Sequence, residues 1–324
     1  MNIVCRHRIR FVFCCLFFYL HSGQATAYED PAQTASVPRP GAINSLLVDL
    51  KVVGNSLVAV GERGHVLVAD RQGKAWRQAQ VPTQRLLTAI AFTDEKNGWA
   101  VGHDHIILHT LDGGINWEMQ WQNVANDLPA PLLGVNFVTT QHGWAVGAYG
   151  VVLETEDGGK SWNNIKQRID NPDEWHNYAV ASRSNGLVYI CGESGTSYRS
   201  DDAGRSWVKL NIPYDGSLFG VLALSDHEVI LHGLRGTVLY SSDKGDSWQK
   251  IDIASEAGVL GASQIDNNSV AFTGSNGLIS ILTLKTMKTT THIQKDRISF
   301  SNIVALGPDH LGMVGLNGFQ TVEY

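Results

Sequence analysis

The chain has 324 residues, with 25 Lys+Arg against 31 Asp+Glu and a formal balance of −6 at neutral pH. That balance argues against a nucleic-acid partner, whose phosphates demand a basic face. Helical periodicity is absent after the first 27 residues, so the expected fold is all-β.

Residues 1–27 read as a signal peptide. Arg6, Arg8 and Arg10 make a basic start, and "FVFCCLFFYL" at 11–20 is an apolar core too short to span a bilayer. "ATA" at 25–27 puts small residues at the −3 and −1 positions before Tyr28. The expectation is an exported, periplasmic protein with no membrane segment once the signal is cleaved; retention as an anchor stays open. The residues before Cys14 and Cys15 are bulky, which argues against a lipid anchor. Cleavage leaves 22 basic against 31 acidic residues, a balance of −9. Cys191 is then the only cysteine, so no internal disulfide can form, and in "VYICGES" it reads as a small buried hydrophobe.

From residue 45 onward the chain repeats. An apolar alternation ends in a phased glycine at Gly61, Gly102, Gly147, Gly192, Gly233, Gly274 and Gly315, at spacings of 41, 45, 45, 41, 41 and 41. Most units carry a second glycine three residues on (Gly64, Gly150, Gly195, Gly236, Gly277, Gly318), the sign of a tight hairpin. Four short antiparallel strands per unit predict a seven-bladed β-propeller over 45–324. The seventh unit stops after its third strand, so residues 28–44 are expected to add the missing outer strand.

A second phrase recurs in blades 2 to 5: "TLDGGINW", "TEDGGKSW", "SDDAGRSW" and "SSDKGDSW". Aligned on Trp117, Trp162, Trp207 and Trp248, it places Asp112, Asp157, Asp202 and Asp243 five residues before, and Gly114, Gly159, Gly204 and Gly245 three before. This is the Asp-box pattern. The carboxylate can cap its own turn, the glycine can take the left-handed conformation, and the indole can bury its area between strands. These residues are expected to be structural. One or two carboxylates per loop are too few for calcium. Blade 1 is degenerate, with Arg71 in the Asp place, and blades 6 and 7 lack the phrase.

Partner-binding residues are expected on the opposite face, in the hairpins between the paired glycines. There Glu62 and Arg63, Tyr149, Glu193 and Arg235 form a ring of both signs, suited to a polar partner or a peptide segment. The connections after Trp117 and Trp162 are the longest, and Trp121 and Trp175 in them read as loop aromatics that anchor a partner. His103, His105 and His109 raise a metal question, but a chain reversal at 104–105 splits them, so no metal or cofactor is expected.

With "NGWAVGHDHIILHTLDGGINW" and "HGWAVGAYGVVLETEDGGKSW" on the page, the chain resembles the photosystem II stability/assembly factor family over about 45–252, and more weakly beyond. More narrowly it resembles bacterial relatives labelled Asp-box or BNR-repeat, glycosyl-hydrolase-like proteins. The resemblance implies a seven-bladed propeller that is a non-enzymatic assembly factor, and a monomer is expected. It implies a membrane protein complex or its subunits as partner, an RND-type transporter among them. The alternative is a glycoside hydrolase, sialidase-like or glucanase-like, using the hairpin face. Glu62 and Glu193 are the best carboxylate pair for it, but they lie three blades apart and the chain lacks a third equivalent arginine.

Overall fold

In the computed structural model, which describes residues 30–122 and 130–324, each repeat folds as an antiparallel meander. The proposed signal at 1–27 and residues 123–129 of the loop after Trp121 lie outside the described residues. In blade 1 the inner strand Leu47–Val53 pairs with Ser56–Gly61, which pairs with Val66–Asp70 and then with a short outer strand, Arg77–Gln78. Six sheets have four strands in chain order and the seventh has three. The seven inner strands surround a channel of about 380 Å³, which completes a seven-bladed β-propeller.

Second strands such as Gly98–Gly102 and Gly143–Gly147 are buried along their whole length, and Trp99 and Trp144 are fully covered. The phased glycine that ends each of them is needed for close approach, not for a left-handed turn. Gly61 and Gly233 are extended, at φ −173° and −175°. A Cβ on Gly61 would lie 2.1 Å from the Leu46 carbonyl oxygen of the strand entering the blade, and one on Gly233 would lie 2.1 Å from that of Ser217. The second glycine of the pair does take positive φ, +67° at both Gly64 and Gly236.

The Asp–Gly–Trp turns are closed by local hydrogen bonds. Asp202 Oδ1 accepts the Ser206 N–H at 2.8 Å, and Oδ2 accepts the Ser206 hydroxyl at 2.6 Å. Ser200 Oγ accepts the Gly204 N–H at 2.8 Å, and the Trp207 indole donates to the Gly204 carbonyl at 3.0 Å. Asp112, Asp157 and Asp243 cap their turns in the same way. Ser161, Ser206 and Ser247, by side chain and then by backbone, hold Asp157, Asp202 and Asp243 down to a pKa of about 2. Each Trp also ties its blade to the one before. Trp117 of blade 2 packs with Val58, Val60 and Val81 of blade 1, and its backbone N–H donates to the Gln80 carbonyl at 3.1 Å. Blade 1 is less degenerate than its sequence suggests. Asp70, one residue earlier than expected, accepts the N–H groups of Gln72 and Lys74, and Trp76 donates to the Gly73 carbonyl.

Among the described residues, 30–44 add no fourth strand to blade 7, although Ala42 and Ile43 pack against it. Among the described residues its sheet ends at Gly318–Glu323. Residues 30–39 instead run along blade 1. Ser36 N donates to the Val81 carbonyl, Gln84 N to that of Pro31, and Arg39 N to Gln78 Oε1. Pro31, Pro38 and Pro40 lack N–H donors, so this segment is unfit for a ladder. The ring closes by packing: Leu50, Leu57 and Trp76 of blade 1 against Val304, Val314 and Phe319 of blade 7. Ser301 Oγ donates to the Leu47 carbonyl at 2.8 Å, and the Asn302 amide donates to Asp49.

Candidate functional site

The hairpin face is built on one backbone device. In blades 1 to 6 the second hairpin residue is left-handed: Arg63, Asp104, Tyr149, Ser194, Arg235 and Asn276 have φ between 51° and 61°. Asp and Asn accept that conformation readily, whereas Tyr and Arg do so at a steric cost. Tyr149, Arg63 and Arg235 therefore hold their places against local preference, and Tyr149 is 48% exposed.

A second device lies at the start of the inner strands. The register shifts between Asn177 and Ala179 and between Leu218 and Gly220, so Tyr178 and Phe219 are bulged residues without a ladder partner. A bulge re-aims its side chain. The corresponding residues of all seven blades (Val48, Thr88, Leu133, Tyr178, Phe219, Leu260 and Ser301) line the channel. Only blades 4 and 5 place aromatic rings there. A run of four rings follows: Tyr149 to His176 at 5.1 Å between centroids, His176 to Tyr178 at 6.4 Å, and Tyr178 to Phe219 at 5.6 Å. It leads from a cleft beside blade 3, lined by Tyr149, Lys166 and Asp170, into the channel.

The loop before His176 is fixed at several points. Arg168 Nη1 meets the buried Glu154 at 2.8 Å, the Tyr198 hydroxyl donates to the Asp170 carbonyl at 3.0 Å, and Asn171 brackets the backbone of Trp175. Tyr149 N–H donates to His176 Nδ1 at 3.2 Å, and His176 N–H donates to Glu193 Oε2 at 3.3 Å. Tyr149 and Glu193, far apart in sequence, thus meet at His176.

The other expected residues are dispersed. Glu62 and Arg63 line a separate cleft of about 430 Å³ with Arg39, Ser45 and His65. Burial, opposed by the nearby Glu62, lowers the pKa of His65. Arg235 lines another cleft, with Lys250, Asp252 and Glu256. Glu62 thus lines the cleft beside blade 1, whereas Glu193 accepts the His176 N–H beside the ring run. Trp121 is not a loop anchor. It ends the outer strand Glu118–Trp121 of blade 2, half-buried against the Trp99 and Phe137 cluster. That strand is longer than its counterparts in blades 3 to 5, which draws Trp121 into the sheet. Trp175 does lie in its loop, half-buried. His105 is buried while His103 is exposed, and His109 stacks on Trp99 at 4.8 Å. Among the described residues no three His, Cys, Asp or Glu side chains converge as metal ligands. Cys191 is buried, which pushes its thiol pKa up. Sequence reasoning missed His176, Tyr178 and Phe219. Aligning the repeats on the first residue of each inner strand would have revealed the two aromatic bulges.

The family model described as photosynthesis system II assembly factor YCF48 matches residues 68–120 and 118–292. The chain belongs to this family. The Ycf48 family resemblance is patchy at the level of sequence. A photosystem II assembly protein Ycf48 from Synechococcus sp. (strain JA-3-3Ab) is 40% identical over 53 residues, 16% of this chain and 16% of that protein. The chloroplastic photosystem II stability/assembly factor HCF136 of Cyanidioschyzon merolae (strain NIES-3377 / 10D) is 36% identical over 72 residues, 20% of this chain and 16% of the relative. The matched stretches therefore span about a sixth of these relatives' length. The Ycf48 architecture is closer. A solved structure titled "YCF48 bound to D1 peptide" superposes with a TM-score of 0.69 at 17% identity, covering 91% of this chain and 97% of that one. YCF48 from Cyanidioschyzon merolae gives 0.68 at 16% identity, covering 89% and 98%. The WD40 propeller of Doa1 gives 0.68 at 11% identity, covering 88% and 95%, so these likenesses establish the fold alone.

Proposed function

We propose that this protein is a non-enzymatic assembly factor that holds an extended segment of a membrane protein on its hairpin face, across blades 3 to 5. The observation that carries the reading is the run of rings from exposed Tyr149 to the bulged Tyr178 and Phe219 at the channel. Rigid aromatics at a concave mouth contribute much of the binding energy of such interfaces. A relative whose title names a bound D1 peptide supports a peptide-like ligand for this fold. The basic start, apolar run and "ATA" site support export to the periplasm. An RND-type exporter is the finer proposal for the client, and it rests on the bacterial relatives noted above.

The test is crosslinking capture from membranes with wild type and a Tyr149→Ala/Phe219→Ala variant that keeps its circular-dichroism melt. The reading expects one membrane protein captured by wild type and lost with the variant. Equal capture by both sinks it. Turnover of a chromogenic glycoside that Glu193→Gln abolishes would restore the hydrolase alternative.

A further inference from the structure

We infer that the blade 3–4 side of this mouth recognises a lysine or arginine side chain of the bound segment, in a cage formed by Tyr149, His176, Tyr178 and Glu193. The inference rests on the segment-binding reading above and names the chemistry of that same site.

The argument begins with the histidine. His176 Nδ1 accepts the Tyr149 N–H at 3.2 Å, so that nitrogen carries no proton of its own. Glu193 Oε2 lies 3.7 Å from the same Nδ1, but neither atom can donate to the other in this arrangement. Among the described residues the Glu193 carboxylate accepts a backbone N–H and pairs with no lysine or arginine. It is about one-third exposed and stands beside the ring run.

Nearby cations are committed elsewhere. Lys166 pairs with Glu174 at 2.9 Å, and Arg168 with the buried Glu154. Asp170 and Asp173 of the same loop, and Asp215 of the next connection, have no ion pair among the described residues. The surroundings are thus acidic as well as aromatic. An ammonium or guanidinium over an aromatic face, with a carboxylate at the rim, satisfies both features together. A neutral apolar side chain would leave the carboxylate uncompensated, and an anionic one would be repelled.

An array of randomised, end-capped hexapeptides tests this, probed with the full chain at low and at physiological salt. Bound peptides should be enriched in Lys and Arg over norleucine by about tenfold. Glu193→Gln and Tyr149→Ala should each erase most of that enrichment while apolar preferences at other positions persist. Asp226→Asn, a loss of charge on the opposite face, should leave it unchanged and so controls for general attraction to an acidic protein. Basic enrichment that survives Glu193→Gln, equal selection of norleucine, or selection of Glu overturns the cage. Binding with apolar but no basic preference removes the cage alone. An array that binds nothing removes the segment-binding reading with it.

Discussion

In blades 3 to 5 the outer strand is two residues long and follows a turn whose tryptophan packs on the preceding blade; in blade 6 it runs for six residues, Lys288–Ile293, paired along its whole length. Trp162 of blade 3 is 6% exposed, and Trp207 and Trp248 of blades 4 and 5 are half-buried. At the junction of blades 5 and 6, Leu284, Met287 and Ile293 fill the corresponding space, and Thr289 and Thr291 donate to the Asp252 and Ile253 carbonyls. The difference teaches that an outer strand can be held by one ring packed on the preceding blade or by a ladder, and that the ring permits a much shorter strand. Among the described residues blade 7 has neither, and its third strand is the sheet's edge.

The most severe test of that comparison removes the ring. Trp162→Ala should cost about 3–5 kcal/mol, read as a lower urea midpoint. Met287→Ala in blade 6, half-buried and backed by a ladder, should cost about 1–2 kcal/mol. Equal losses would break the distinction.

The residue before the phased glycine sharpens it further. This residue is Val60, Val101, Val146 and Val314 in four blades, but Cys191, His232 and Thr273 in blades 4 to 6. Burial lowers the His232 pKa to about 4, partly offset by the bond to the Val259 carbonyl. The unfolded chain binds this proton near pH 6.5, earlier than the fold does. The contribution of neutral His232 is therefore complete above pH 6.5 and is lost as pH falls towards 4, by about 3 kcal/mol. His232→Val should flatten the urea midpoint between pH 7 and 4.5; an unchanged slope would show that the imidazole is not dry.

The capping aspartates titrate lower still. Their depressed pKa means that their stabilisation is full above the unfolded value near 3.9 and disappears as pH falls through about 2. Hydrogen exchange between pH 4 and 2 should show the amides of Ser161, Ser206 and Ser247 losing protection before those of the blade 6 hairpin. Simultaneous loss would mean that the turns do not act locally. The smallest effect is expected at Tyr149. Tyr149→Asn relieves a left-handed tyrosine and should raise stability by about 0.5–1 kcal/mol while weakening partner capture. A destabilised variant would mean that the ring supports the fold.

Blade number and turn chemistry were legible because both recur with a fixed phase, so seven weak signals add. The exceptions are positions where one blade departs from the others. Asp70 replaces the missing cap from one residue earlier, and Trp121 is drawn into a longer strand. The prolines that divert residues 30–39 from the edge of blade 7 were visible, but their consequence depended on where blade 1 offers acceptors. The candidate site was half legible. Tyr149 and Glu193 stood out on hairpins, whereas His176, Tyr178 and Phe219 look like ordinary strand residues until the bulge turns them to the channel.

The junction of blades 7 and 1 also sets an order of events. Every other junction joins neighbours in sequence, but the Ser301–Leu47 and Asn302–Asp49 bonds join residues 254 and 253 positions apart. Closing so long a loop costs about 1.5 kcal/mol more entropy than closing one of a single repeat. A chain emerging from a ribosome or a translocation pore can stack six blades as an open spiral, but it cannot latch until Phe319 arrives beside Trp76. Until that moment both faces of the unlatched seam are apolar and unprotected, which makes it the place where this protein is most exposed to misassembly.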